Sequence, residues 1–316
     1  MKDINALIRS LDHVDKEGIR CAALGFSINL FTDRVLSEVA QAVLDCQDLF
    51  FQFCPRESIR FYATETMRKH KKVDQKVFGM LELWMKNPQA RGQLMTLELK
   101  DGDTMLDAPK YLFKVVGNEK GSRGHEAHVA NSITLSFPPE FGIERSDEML
   151  DLMQRLCSAL PCQSGQAGFA FQCSRYESQV GETFAWKKSL RHPELDIVRI
   201  PQDCHAVEHN AVKTVAWLTM VCDEFLDELG GAKAVEKKLA ADTERIRVPG
   251  GVIYRLGEAP AITDRNKGDK TPPEYKKLYQ ALRPLIERAI DQSQWFDTGS
   301  DDEDDQTEAW YRRFEK

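Results

Sequence analysis

Two periods alternate along this chain, one of two residues and one of about 3.6, and the switches between them mark its elements. Gly25 to Phe31 (GFSINLF) alternates apolar and polar residues, which predicts a strand. Asp33, a capping residue type, precedes Val35, Leu36, Val39, Val43, Cys46, Leu49 and Phe50, whose spacing predicts a helix with one apolar face. A short strand is expected at Ile59 to Tyr62. The next helix carries Val73, Val77, Met80, Leu81 and Trp84. It ends near Asn87-Pro88, because the residue before a proline resists the helical conformation. Strands are expected at 94–99 and 111–116, and the short polar segment between them predicts an antiparallel pair. A Gly-, His- and charge-rich loop fills 118–131, and Ile133 to Phe137 is a strand closed by Pro138-Pro139.

The second half repeats this layout. Ser146 is an N-cap residue type, and Met149, Leu150, Met153, Leu156, Cys157 and Leu160 line the helix that follows. Strands are expected at 168–173, 197–200 and 250–256. Between the last two lies a helix over 211–229, capped by Asn210 and stopped by Gly230-Gly231. Its part from Val212 to Val221 is apolar almost all round, which predicts a central buried helix with Trp217 in the core. Pro272-Pro273 opens the last helix, with Tyr275, Leu278, Tyr279, Leu282, Leu285, Ile286 and Ile290 inward, and Pro284 predicts a kink or restart. The fold class is therefore α+β, with an antiparallel sheet or sheets and packed helices, in two strand–helix–strand halves that share no residue-level identity. The expected organisation is an α+β unit over 1–296, with halves 1–130 and 131–296, and an acidic flexible tail over 297–316. The segment from Asp297 to Asp305 is too charged to pack by itself.

Composition narrows the class. The 316 residues, 42% hydrophobic and 29% charged, suit a globular protein with a core of its own. No apolar run reaches the roughly 18–20 residues that cross a membrane, and the first residues lack the apolar core of a signal peptide, so a cytoplasmic protein is expected. The eight cysteines form no C-x-x-C pair, and Cys46, Cys157 and Cys222 fall on apolar faces, which suits free thiols in a reducing compartment. A net charge of −7 lacks the basic footprint of nucleic-acid binders and favours a partner with a basic surface.

Candidate chemistry is sparse. His125 and His128 (H-E-A-H) and His205 and His209 (H-A-V-E-H) are the paired histidines, and neither pair forms the H-E-x-x-H pattern of metalloproteases. Glu98-Leu-Lys100 echoes the acid-x-lysine element of restriction-type nucleases, a chemistry that needs further carboxylates to hold a divalent ion. No phosphate-binding glycine loop and no nucleophile elbow occurs. No catalytic, cofactor or metal residue is assigned. The acidic run Asp301, Asp302, Glu303, Asp304 and Asp305 has two readings, a solvated tail or an electrostatic lure for a basic partner, with Trp310, Tyr311 and Phe314 beyond it as anchors.

Three blocks of the C-terminal half carry a resemblance. The first is Ile197-Val-Arg-Ile-Pro-Gln-Asp with His205, then His209-Asn-Ala-Val-Lys-Thr-Val-Ala-Trp-Leu-Thr. The second is Leu229-Gly-Gly followed by Gly250-Gly-Val-Ile-Tyr. The third is Gly268-Asp, Pro273-Glu-Tyr275 and Ala281-Leu-Arg-Pro-Leu. Together they resemble the bacterial type VI immunity family, whose members neutralise toxins delivered by type VI secretion systems. The resemblance implies an α+β cytoplasmic protein that binds a cognate toxin, a nuclease in some members, by covering its active or substrate-binding surface. It brings no catalytic residue and no cofactor. The alternatives are a metal-dependent nuclease or other hydrolase built on Glu98, Lys100 or the histidine pairs, and an accessory subunit of the secretion machinery.

Overall fold

In the computed structural model, which describes all residues except 1–6, 9, 88–94, 118–129, 209, 294–295, 300 and 316, the strand expected at Gly25 is the spine of the molecule. This strand, β2 (Arg20–Thr32), is 13 residues long and buried along all but its first residue. It is buried because antiparallel neighbours flank it on both sides, β7 (Asn131–Phe137) and β8 (Ser164–Cys173). Among the described residues, twelve strands form one sheet. Beyond β7 come β6 (Leu112–Gly117), β5 (Met95–Lys100), β3 (Phe61–Thr64) and β4 (Lys71–Lys72). Beyond β8 come β10 (Leu218–Cys222), β12 (Gly251–Arg255) and β11 (Glu244–Val248). Two strands leave this path: β1 (His13–Val14) pairs β2, and β9 (Asp196–Val198) runs parallel to β8, the one parallel pair among the described residues.

The two faces of β2 differ by the period of two. Leu24, Phe26, Ile28 and Leu30 belong to the main apolar core. Helices α1 (Ala40–Phe53) and α4 (Ser146–Ala159) pack there against each other, burying Val43, Cys46, Leu49 and Phe50 from one and Met149, Leu150, Met153, Leu156 and Cys157 from the other. These are the faces the periodicity predicts, although α1 begins at Ala40 and not beside Asp33. Also on the way are α2 (Met80–Lys86) and α3 (Glu140–Glu144), short helices whose positions the sequence pattern foreshadows only for α2. On the other face lies α5 (Ser178–Arg191), against β2, β8 and β9. The sequence gives little sign of α5, because its buried positions are Gly181, Glu182, Ala185 and Ser189, small or polar residues with no apolar stripe.

Three expectations are corrected. The helix over 211–229 is instead an extended approach, strand β10, and a short helix, α7 (Asp223–Glu228). A run that is apolar on every side does not distinguish a buried strand from a buried helix. Here the β-branched residues Val212, Thr214, Val215, Thr219 and Val221 favour the pleated form, and β10 lies covered between β8 and β12. Asn210 caps nothing and sits at φ 62°. The glycine stop does hold: Gly230 and Gly231 have φ of 92° and 89°, and the Gly231 N–H donates to the Leu226 carbonyl at 2.8 Å. Trp217 is in the core, 1% exposed, with its Nε1 donating to the Gly257 carbonyl.

Secondly, Pro284 does not restart the last long helix. The helix α9 (Pro273–Gln292) runs through it as one element, with Leu282, Leu285 and Ile286 buried around the proline. Thirdly, the flexible tail is a folded element. Residues 303–311 form helix α10 (Glu303–Tyr311), and Trp310, Tyr311, Arg313 and Phe314 are all 3% exposed or less. Of the acidic residues that argue for a tail, Glu303, Asp304 and Asp305 occupy the first turn of α10, where the helix dipole favours negative charge. The aromatics that follow supply the burial.

Candidate functional site

The polar face of the sheet sets up the site. Register places Thr134 beside Asn29, Asn29 beside Gln166 and Gln166 beside Thr219, a polar row across four strands. Ser27 and Ser136 stand 3.1 Å apart on the same face, and the Gln172 amide donates to Ser27 at 2.9 Å. An apolar helix face would bury poorly on such a floor. What covers it is α5, the segment 196–216 with its short helix α6 (Gln202–Ala206), and the C-terminal elements.

This cover carries charge inward. Lys213, 1% exposed, has its Nζ 2.8 Å from Asp203 and 3.1 Å from Asp196, and donates to the Ile197 carbonyl at 2.6 Å. Arg199 lies 3.1 Å from Glu182 with both side chains buried. Aromatic rings from the C-terminus close over both cations: the Arg199 guanidinium is 4.4 Å from the Phe296 ring centre, and Lys213 is 5.6 Å from Trp310. The Asp297 N–H donates to Glu182 at 2.9 Å. Burial pushes the Glu182 carboxyl up, against the pull of Arg199.

Beside this network opens a cleft of about 400 Å³, between β3, β5 and β6 on one side and α5, β9 and residues 199–202 on the other. Glu98 lies on its floor. Its register partner across the β5–β6 hairpin is Lys114, whose Nζ is 3.0 Å from the carboxylate and 2.9 Å from the Ile200 carbonyl. The second carboxylate oxygen lies 2.8 Å from His70 Nε2, and Tyr176 Oη accepts the His70 backbone N–H at 2.7 Å. Burial raises the Glu98 pKa, but the Lys114 charge and the His70 hydrogen bond outweigh it, so the carboxyl titrates well below its usual range. Lys100 points to the Asp107 carbonyl, and burial, opposed by Glu98, takes it down to about 8. Cys173 lines the cleft, and burial pushes its thiol up, away from thiolate chemistry.

The sequence candidates are thus scattered. Glu98 and Lys100 share a strand, but Glu98 is committed to Lys114 and His70. No group of three His, Cys, Asp or Glu residues among the described residues is placed to hold a metal. His205 rests 3.2 Å from Glu208, while His125, His128 and His209 lie outside the described residues. Asp301 and Asp302 just before α10 and Asp304 and Asp305 in its first turn are exposed, and Glu303 accepts the Thr298 and Gly299 backbone N–H groups. The network of Lys213, Asp196, Asp203, Arg199 and Glu182 leaves no sequence signal beyond Lys213 interrupting an apolar run. The basic stretch Arg68-Lys-His-Lys-Lys72 beside the cleft is legible in the sequence, yet the acidic net charge hides it.

The Glu98 cluster makes a pH prediction. A carboxyl whose folded pKa is depressed adds stability that is full above the unfolded pKa, about 4.5, and is lost as the pH falls below it. Glu98→Gln should cost about 1–3 kcal/mol near neutral pH and much less under acid conditions. Thermal melts of both proteins across a pH series check this, and parallel curves would refute the ion-pair role.

Comparison with known proteins places this geometry. A family model described as "TsiV: Type VI immunity for VRR-NUC" matches residues 42–314. Among solved structures, "Pseudomonas aeruginosa T6SS protein PA0821" superposes with a TM-score of 0.81 at 20% identity, covering 99% of this chain and 90% of that one. Nothing among the curated proteins matches. No helix among the described residues is long and apolar enough to cross a membrane.

Proposed function

The chain belongs to the family of type VI immunity proteins for VRR-NUC, and from that premise we propose that it binds a cognate type VI toxin, a nuclease, and inhibits it in the cytoplasm. Inhibition comes from covering the toxin's active or substrate-binding surface, in an interface of standard size or larger. The observation that carries this reading is the extent of the family match, which spans nearly the whole folded unit. The cleft supports it, since its buried charges pair with one another and so suit recognition better than turnover. The exposed carboxylates Asp301, Asp302, Asp304 and Asp305, with Glu303, serve in this reading as a rim that steers a basic toxin surface during encounter.

The test uses the cognate VRR-NUC toxin, the class that the family description names. Equimolar protein should abolish plasmid cleavage by that toxin, and the two should elute as one complex. A toxin that stays fully active and unbound ends the reading. Cleavage by the protein alone, lost in Glu98→Gln, would install the nuclease alternative instead. Steering predicts that association slows as salt rises, and that Asp301→Asn, Asp302→Asn, Asp304→Asn and Asp305→Asn together slow it further without raising the dissociation rate.

A further inference from the structure

The stretch 68–72 runs against the charge of the whole molecule. Arg68, Lys69, Lys71 and Lys72 are exposed, while His70 between them is 4% exposed. The His70 ring is held on both sides: Nε2 lies 2.8 Å from Glu98, and Nδ1 lies 2.9 Å from Tyr176 Oη. A buried centre with outward neighbours fixes Lys69 and Lys71 to the solvent side of an extended segment. Lys71 and Lys72 form β4, which pairs only with β3 and ends the sheet, so its outer edge carries no strand among the described residues. Arg175 stands beside the stretch, its guanidinium donating to the Met67 carbonyl at 3.4 Å, and it lines the cleft that Glu98 and Lys114 floor.

None of these five cations has a carboxylate partner among the described residues. Several arginines elsewhere are matched, Arg145 with Glu148, Arg247 with Asp223, Arg255 with Asp147 and Arg312 with Glu287, while Arg56 stacks on Phe51 and Phe78; the ridge differs in gathering its unmatched cations together. A chain of net charge −7 has carboxylates to spare, and five cations left together raise their mutual repulsion in the free protein. Lysines do guard sheet edges against strand pairing, but that purpose needs neither Arg68 nor Arg175, which lie off the strand. An anion from outside satisfies the arrangement.

We propose that this basic ridge, with the adjoining cleft, is the docking surface for a carboxylate-rich segment of the bound toxin. The proposal rests on the immunity reading above and adds a partner chemistry opposite to the one that net charge suggests. A protein segment is favoured over nucleic acid because a duplex carries one charge per about 1.7 Å along its length and would run off the ridge onto the acidic remainder of the surface. A local acidic segment meets only the ridge, and an extended one also finds the free backbone edge of β4.

The experiment compares two triple variants in complex with the cognate VRR-NUC toxin. One is Lys69→Glu, Lys71→Glu and Lys72→Glu. The other, Lys233→Glu, Lys237→Glu and Lys238→Glu, makes the same charge change on another exposed surface. The ridge variant is expected to weaken the complex by about 100-fold or more while the control stays within about threefold, with unchanged melting for both. The conservative Lys69→Arg, Lys71→Arg and Lys72→Arg variant should keep wild-type affinity. If the wild type does not bind the toxin, the immunity reading itself fails. If wild type and both glutamate variants bind alike, only the ridge proposal fails. It also fails if the ridge variant keeps the toxin but self-associates, which marks an edge guard, or if the wild type binds a short DNA duplex and the ridge variant loses only that.

Discussion

Lys213→Met is expected to cost about 3–5 kcal/mol, because it leaves Asp196 and Asp203 buried without their cation. Both carboxylates are 3% exposed, so neither reaches water to recover the lost charge. The desolvation already spent on them is then unopposed, and it exceeds the worth of the pairing itself. The loss also frees the Ile197 carbonyl, which receives Nζ at 2.6 Å. Chemical denaturation should show a lower midpoint with a similar slope, the signature of reduced stability without a changed unfolding area. Adding Asp203→Asn should recover part of the loss, since it removes one of the two stranded charges while keeping an acceptor for the Arg199 N–H. A Lys213→Met variant with wild-type stability would mean that the two carboxylates do not depend on that cation, and the network would lose its role.

That network shows where sequence reading stops. Elements with one apolar face were legible: the faces of α1 and α4, the β5–β6 pair, strand β7 and the inward residues of α9 all follow from spacing. Elements without contrast were not. The run around Trp217 is apolar on all sides and fits two conformations, and α5 hides behind Gly181, Glu182, Ala185 and Ser189. The site needs a further step, because its partners meet only through register. Glu98 and Lys114 face each other because β5 and β6 pair one way and not one residue out of step. His70 reaches the same carboxylate from the far edge of the sheet, and nothing in the spacing of 70, 98 and 114 announces it. The family, by contrast, was legible, since it rests on local blocks that survive without any knowledge of the fold.

Removing residues 297–316 should unfold the protein or leave it aggregated, although their composition reads as that of a dispensable tail. The deletion takes Trp310, Tyr311 and Phe314 out of the main core. Each large aromatic is worth roughly 3–5 kcal/mol when truncated to alanine, and three together reach the scale of a domain's whole net stability. It also takes away Arg313, 0% exposed, which ties the C-terminus to the Pro193 carbonyl at 2.8 Å. It uncovers Lys213 by removing the Trp310 ring, and it breaks the Asp297 bond to Glu182. The acidic run itself contributes little to this. Neutralising Asp301, Asp302, Asp304 and Asp305 changes exposed charges just before and within the first turn of α10, and should move stability by no more than about 1 kcal/mol. Calorimetry on the two variants separates the roles. A cooperative transition kept by the truncated chain at the wild-type temperature would return the segment to the status of a tail. A lost transition there, with a normal one in the neutralised protein, makes the aromatics structural and assigns the carboxylates no large part in stability.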